Sequence, residues 1–350
     1  VGHNYFPMIV NSDERQWTWM DEGLNTFVQF LAEQAWEDGY PSRRGHAADI
    51  TRYMKSSNQV PIMTNSESVL QLGPNAYGKP AAALNILRET VMGRELFDFA
   101  FKEYAQRWKF KRPTPSDFFR TMEDASGIDL DWFFRGWFYT TDHVDIALGN
   151  IHLYSPDSQN PDTEEAWLRA LENEKPTFIS DMLNKGSDVR TDDKPELLDF
   201  YNEHDQFTAT NAKRNSYNAS HKKLEQWEKE LLLETSNFYL IDFENKGGLV
   251  MPIILDITYA DNSVEHINIP AEIWRKNSKN VSKLLIRDKE IIAIALDPNW
   301  ETADIDVNNN YWPARPIKSR FEIYKRKKNK KDMMRDYNKK LKSADEEKEA

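Results

Sequence analysis

The hydrophobic pattern changes its period near residue 140, and that change limits the chain to a helical part followed by a sheet part. Before it, Leu24, Phe27, Val28, Leu31 and Ala35 recur at three and four residues and form one stripe of a helix carrying Glu22 near its start. Thr18, with Asp21 three residues on, has the spacing of a capping box and marks the predicted beginning of that helix. Ala82, Ile86 and Leu87 lead to Gly93, a predicted C-cap, and Phe97, Phe101 and Tyr104 continue as the next helix. Thr114 followed by Pro115 opens a short helix that ends near Gly127, and the aromatic run from Leu130 to Tyr139 is predicted to be core.

From His143 onward the alternation is that of strands. "HVDIALGNIHLY", "NFYLIDF" from Asn237, and the run with Ile253, Leu255, Ile257 and Tyr259 on one face read this way. Turn signals at "ADNS", "RDKE" and "DPN" separate "KLLIR" and "IIAIAL", which suits a small antiparallel sandwich. Between the first two strands lies a polar insertion, about 155–235, with helical pieces "EAWLRAL" and "KKLEQWEKELLL". The expected organisation is α+β and multidomain: a helical domain over 1–142, a β-sandwich-like domain over 143–324 with the insertion, and a charged tail over 325–350, helical or disordered.

The 350 residues, 39% of them hydrophobic, suffice for two modest cores. The net charge is -11, although Lys325 to Lys342 hold ten Lys or Arg against two Asp; the acidic body argues against nucleic acid as a partner. No apolar run approaches the roughly 18 residues of a membrane span, so a soluble chain is expected. Its compartment, whether periplasmic, secreted or cytoplasmic, is open, as is its oligomeric state. With no cysteine, a metal must be held by histidine and carboxylate.

A catalytic zinc takes three protein ligands and keeps a position for water. His3 and Glu22, with eighteen residues between them, supply two of the required types, and Val1-Gly2-His3 reads as the end of a His-Glu-x-x-His motif. Here the chain resembles the M1 zinc aminopeptidases, gluzincins whose pattern is His-Glu-x-x-His, eighteen residues, then Glu. In "WMDEG", Glu22 stands at the third-ligand place, with Trp19 three residues before it and Gly23 after it. "NAYGKPAAALNIL" resembles the family's Tyr-x-Lys-Gly-Ala segment, with Pro80 in place of the usual glycine. "FFRGWFY" stands where the family has a tryptophan-containing helix ahead of a β-sandwich. The resemblance covers residues 1 to 143 well and the sandwich in outline.

The resemblance implies the helical half of a thermolysin-like gluzincin catalytic domain and hydrolysis of N-terminal peptide bonds. One catalytic Zn2+ would be held by His3, Glu22 and a histidine ahead of this chain, beside a glutamate base also ahead of it. Tyr77 would donate a hydrogen bond to the oxyanion. Peptides with a free N-terminus are the implied substrate. The residues that bind them are not identified, and the chain alone, lacking first ligand and base, is expected to be inactive. Asp21 either orients a ligand from behind or is an exposed helix-start carboxylate. Two other readings stay open: a non-catalytic M1-like scaffold or partner-binding module, and a zinc epoxide hydrolase of the leukotriene type.

His46, His143, His152, His204, His221 and His266 lack a partner at ligand spacing and are read as surface or turn residues. Asp297, Asp304, Asp306 and Asn308 lack the glycine and terminal glutamate of an EF-hand and are read as turn residues rather than calcium ligands.

Overall fold

The computed structural model describes residues 1–232, 236–321, 323, 332–334 and 337. It divides into two units, 1–314 and 315–350. Most of the charged tail, 325–350, and with it the expectation of a helical or disordered end, lies outside the described residues.

In the first unit, helix α1 (Thr18–Trp36) buries Trp19, Met20, Leu24, Phe27 and Phe30. Trp19 is fully buried, stacks on Phe119 and meets Phe118 and Phe138 edge-on, so the start of α1 is pinned by aromatic packing. The capping box expected at Thr18 is not formed. The Thr18 hydroxyl donates to Glu14 O at 2.9 Å, and the N-cap position is Trp17. α2 (Ala47–Met54) follows, and then a π-turn, Gly73–Gly78, that runs without a break into α3 (Lys79–Ile86). Pro80 sits at the second residue of α3, within this continuous run.

Gly93, read from sequence as a C-cap, is instead the N-cap of α4 (Arg94–Trp108), at a φ of 81°. α5 (Pro115–Ser126) has a capping box, with Thr114 N and Oγ1 each donating to Asp117 Oδ2 at 2.8 Å, and ends at left-handed Gly127. In α6 (Asp131–Tyr139) Phe133, Phe134, Trp137 and Phe138 are buried, while Arg135 and Tyr139 face outward.

The sheet part holds two antiparallel sheets. β1 (Ile146–Tyr154), β2 (Asn237–Asn245) and β5 (Asn280–Arg287) lie in the order β1-β2-β5. β3 (Ile253–Tyr259), β4 (Val264–Ile269), β6 (Ile291–Leu296) and β7 (Tyr311–Trp312) lie in the order β4-β3-β6-β7. Tyr239, Ile241 and Phe243 of β2 and Ile253, Leu255 and Ile257 of β3 are buried, as the period of two requires. The insertion leaves the end of the β1–β2 pair, where Tyr154 faces Phe238. It holds helices at Pro161–Glu174, Asn211–His221 and Gln226–Leu231, the last two separated by a turn that interrupts the continuous helix expected for "KKLEQWEKELLL". Among the described residues no helix is long and apolar enough to cross a membrane.

Candidate metal centre

His3 lies in a 3₁₀ turn, Gly2–Asn4, next to the first turns of α1. Glu22 and Asp21 stand side by side on α1 and reach opposite nitrogens of its ring: Glu22 Oε2 is 3.3 Å from Nε2, and Asp21 Oδ1 is 2.8 Å from Nδ1. Nδ1 also stands 3.0 Å from the Phe6 carbonyl oxygen. The tautomer that satisfies this carbonyl carries its proton on Nδ1 and leaves a lone pair on Nε2. That proton is directed at the Phe6 carbonyl, and Asp21 Oδ1, 2.8 Å from the same nitrogen, is buried with no hydrogen bond of its own. The Asn25 amide nitrogen, one turn along α1 from Glu22, approaches the Nε2 lone pair at 3.2 Å.

Tyr77 joins this group from the π-turn before α3, and its hydroxyl donates to Glu22 Oε1. Gly23 makes that approach possible. A Cβ there would lie 2.6 Å from Pro80 Cγ and 3.0 Å from the Ala76 carbonyl oxygen, so any larger residue pushes the Tyr77 turn away from α1. The Arg44 guanidinium lies 4.6 Å from the centre of the Tyr77 ring. Burial, followed by the hydrogen bond and negative charge of Glu22, pushes the Tyr77 phenol up to about 12, so it stays a hydrogen-bond donor at any physiological pH. Burial and the neighbouring Glu22 charge push the Asp21 carboxyl up to about 6, against the opposing influence of His3.

His3, Asp21 and Glu22 offer ligand atoms that all lie within 4.8 Å of one another. Two ligands of a tetrahedral zinc, each about 2.1 Å from it, are separated by about 3.4 Å. The His3–Glu22 pair, at 3.3 Å, fits that spacing, while Asp21 meets the nitrogen on the other side of the ring. The sequence-derived residues His3, Glu22, Tyr77 and Asp21 are therefore brought together. Asn25 and Arg44 join them unforeseen. Asn25 was legible in principle, three residues after Glu22 on the same helix face; Arg44 lies in a loop with no periodic signal. Glu123, Asp129 and Asp131 form a second group with atoms as close, on the half-buried to exposed end of α5 and the loop after it. Asp297, Asp304 and Asp306 accept backbone N–H groups of Glu301, Thr302, Ile146, Asp306 and Asn308, as turn residues do.

No family model matches the chain. It is 26% identical over 147 residues to glutamyl aminopeptidase of Sus scrofa, a match covering 39% of this chain and 15% of that protein. With aminopeptidase N of Escherichia coli (strain K12) it shares 23% over 178 residues, 48% of this chain and 19% of that one. The chain thus spans less than a fifth of the length of these curated relatives. Among solved structures, aminopeptidase A of Legionella pneumophila, in complex with aspartic acid, aligns over 82% of this chain and 23% of its own at 14% identity, with a TM-score of 0.41. An M1 zinc metallopeptidase mutant of Deinococcus radiodurans, bound to a Tyr-Ser-Ala substrate, aligns over 39% of this chain and 31% of its own at 24% identity, with a TM-score of 0.34. By sequence, then, the chain is similar over 39–48% of its length to glutamyl aminopeptidases and aminopeptidase N.

Proposed function

We propose that this chain contributes the zinc-binding and oxyanion-stabilising side of an aminopeptidase that hydrolyses the N-terminal peptide bond of peptides, within a thermolysin-like gluzincin domain. The observation that carries this reading is the convergence of His3 Nε2, Glu22 and the Tyr77 hydroxyl on one spot. The aminopeptidase names of its sequence relatives support it.

In this reading His3 Nε2 and Glu22 hold the metal, and Asn25 yields the Nε2 lone pair when it binds. When bound, zinc supplies a water with a pKa near 7 and polarises the substrate carbonyl. Asp21 and the Phe6 carbonyl hold Nδ1 from behind, which fixes the ring and its tautomer and raises the basicity of Nε2. Tyr77 releases Glu22 and donates its phenolic proton to the oxygen that becomes negative as the carbonyl is attacked, a contribution on the order of 10²–10³ in rate for one such donor. The proton of the attacking water needs a separate base. Glu22 and Asp21 are both engaged at His3, so the base, like the third ligand, comes from outside the residues gathered here.

The experiment is zinc titration by calorimetry. The chain is expected to bind one zinc, His3→Ala and Glu22→Gln each to weaken it by about tenfold or more, and Tyr77→Phe to leave it unchanged. Asp21→Asn is expected to cost about 10-fold in affinity, within the range for such outer partners. Zinc binding indifferent to His3 and Glu22 removes the reading in favour of a non-catalytic scaffold. The 350 residues alone are expected to show no turnover of an aminoacyl amide, for want of a free base; turnover would overturn this division of labour.

A further inference from the structure

Next to Tyr77 is a pocket of about 190 Å³ whose walls include Arg43, Arg44, Asp49, Tyr53, Gly73 and Gly78. Both arginines are exposed and come from the loop between α1 and α2. Neither has a carboxylate partner or a hydrogen-bond acceptor among the described residues. Asp49, the acidic residue on the wall, forms no ion pair with either arginine, and burial raises its carboxyl.

The geometry keeps these guanidinium groups available. The Arg44 guanidinium carbon lies 4.6 Å from the centre of the Tyr77 ring, a contact that consumes no N–H donor on an acceptor atom. Gly73, at the start of the π-turn, lies close by: a Cβ built there would be in ordinary contact with Arg44 Nη2 at 3.6 Å. Gly45 fixes the loop: its φ is +119°, and a Cβ would run into the Phe30 ring at 2.4 Å. A backbone turn that only glycine permits thus places two arginines without acidic partners on the pocket wall, with Arg44 against the candidate oxyanion donor. Forked guanidinium edges in a pocket of this size match a carboxylate, which they bind in bidentate fashion. A carboxylate arriving here unaided would face the like charges of Glu22 and Asp21, so the arginines also supply the compensation its approach requires.

We propose that Arg43 and Arg44 form a carboxylate-binding subsite that holds a carboxylate of the peptide substrate, either its C-terminal group or an acidic side chain. The occupant is a substrate peptide only on the aminopeptidase reading; the carboxylate chemistry of the pocket stands apart from it.

The test is calorimetric titration of the full 350-residue chain with three peptides: Ala-Ala, which carries a C-terminal carboxylate; Ala-Glu amide, which carries only a side-chain carboxylate; and Ala-Ala amide, which carries neither. One or both carboxylate peptides are expected to bind about tenfold or more tightly than Ala-Ala amide, and which of them does so identifies the source. Arg43→Gln with Arg44→Gln is expected to abolish the difference, Arg44→Lys to retain part of it, and added salt to weaken it. Equal affinity for the three peptides, absence of binding by all of them, or a preference that survives the double substitution overturns the subsite. Zinc titration of the same proteins separates the two readings. Loss of zinc binding in His3→Ala with no peptide discrimination sinks the subsite alone, while carboxylate discrimination without zinc binding sinks the peptidase reading alone.

Discussion

Gly23 is the residue on which the site depends without taking part in it. Gly23→Ala places a methyl 2.6 Å from Pro80 Cγ, and neither the ring nor the Ala76 carbonyl behind it can swing aside as a flexible side chain would. The expected cost is about 1–3 kcal/mol of stability, as for overpacking elsewhere, with the Tyr77 hydroxyl drawn away from Glu22. Chemical denaturation measures the first effect. A crystal structure of the variant, or a fall of the Tyr77 phenol toward its ordinary value in ultraviolet titration, measures the second.

Lys79, two residues beyond Tyr77, is wholly buried and donates to Gln59 Oε1 at 2.9 Å. Burial lowers its ammonium to about 8 from an unfolded value of 10.5, against a weaker raising influence from Asp142. Between these values the unfolded chain binds more protons than the folded one, so stability rises with pH across the window and the increment is lost as pH falls through about 8. Lys79→Met is expected to remove this rise while leaving the other titrations in place. Unfolding midpoints of the two proteins, compared at pH 7.5 and 10.5, check it.

At the scale of elements, the start and end of α5 were readable because its signals are local: a threonine followed by a proline at one end and a glycine at the other. Thr114→Ala is expected to cost about 1 kcal/mol, measured by denaturant unfolding. The same logic misled at Thr18. There the spacing is right, but Asp21 is turned to His3, and the helix start is held by buried Trp19 instead of by a cap. A side chain recruited to a site is unavailable for the local role its spacing suggests, and spacing alone does not tell the two apart. Gly93 misled for a related reason. The signal for a chain reversal was real, but the residue caps the following helix rather than the preceding one.

At the scale of the first unit, the β1–β2 pairing continues past a register shift between Leu148 and Ile151 up to Tyr154 and Phe238, on either side of the insertion. The insertion's ion pairs Lys213–Glu165, Arg214–Asp162 and Arg169–Asp205 are internal to it. Replacing 158–234 with a short glycine-containing turn is therefore expected to leave cooperative unfolding of the remainder intact. Loss of the single thermal transition on excision would show that the sheets depend on the insertion.

The sequence by itself determined the succession of helices and strands, because hydrophobic period and turn chemistry act over a few residues. It also named His3, Glu22 and Tyr77 as a candidate set, through motif spacing along a chain. Only the tertiary structure decided that Glu22 meets Nε2 while Asp21 meets Nδ1, that Asn25 lies across the same lone pair, and that Arg44 covers Tyr77. These are contacts between α1, an N-terminal turn, a loop and a π-turn. They depend on how closely the backbones approach, and at Gly23 and Gly45 that distance is set by the absence of a Cβ, whose effect no one-dimensional pattern records.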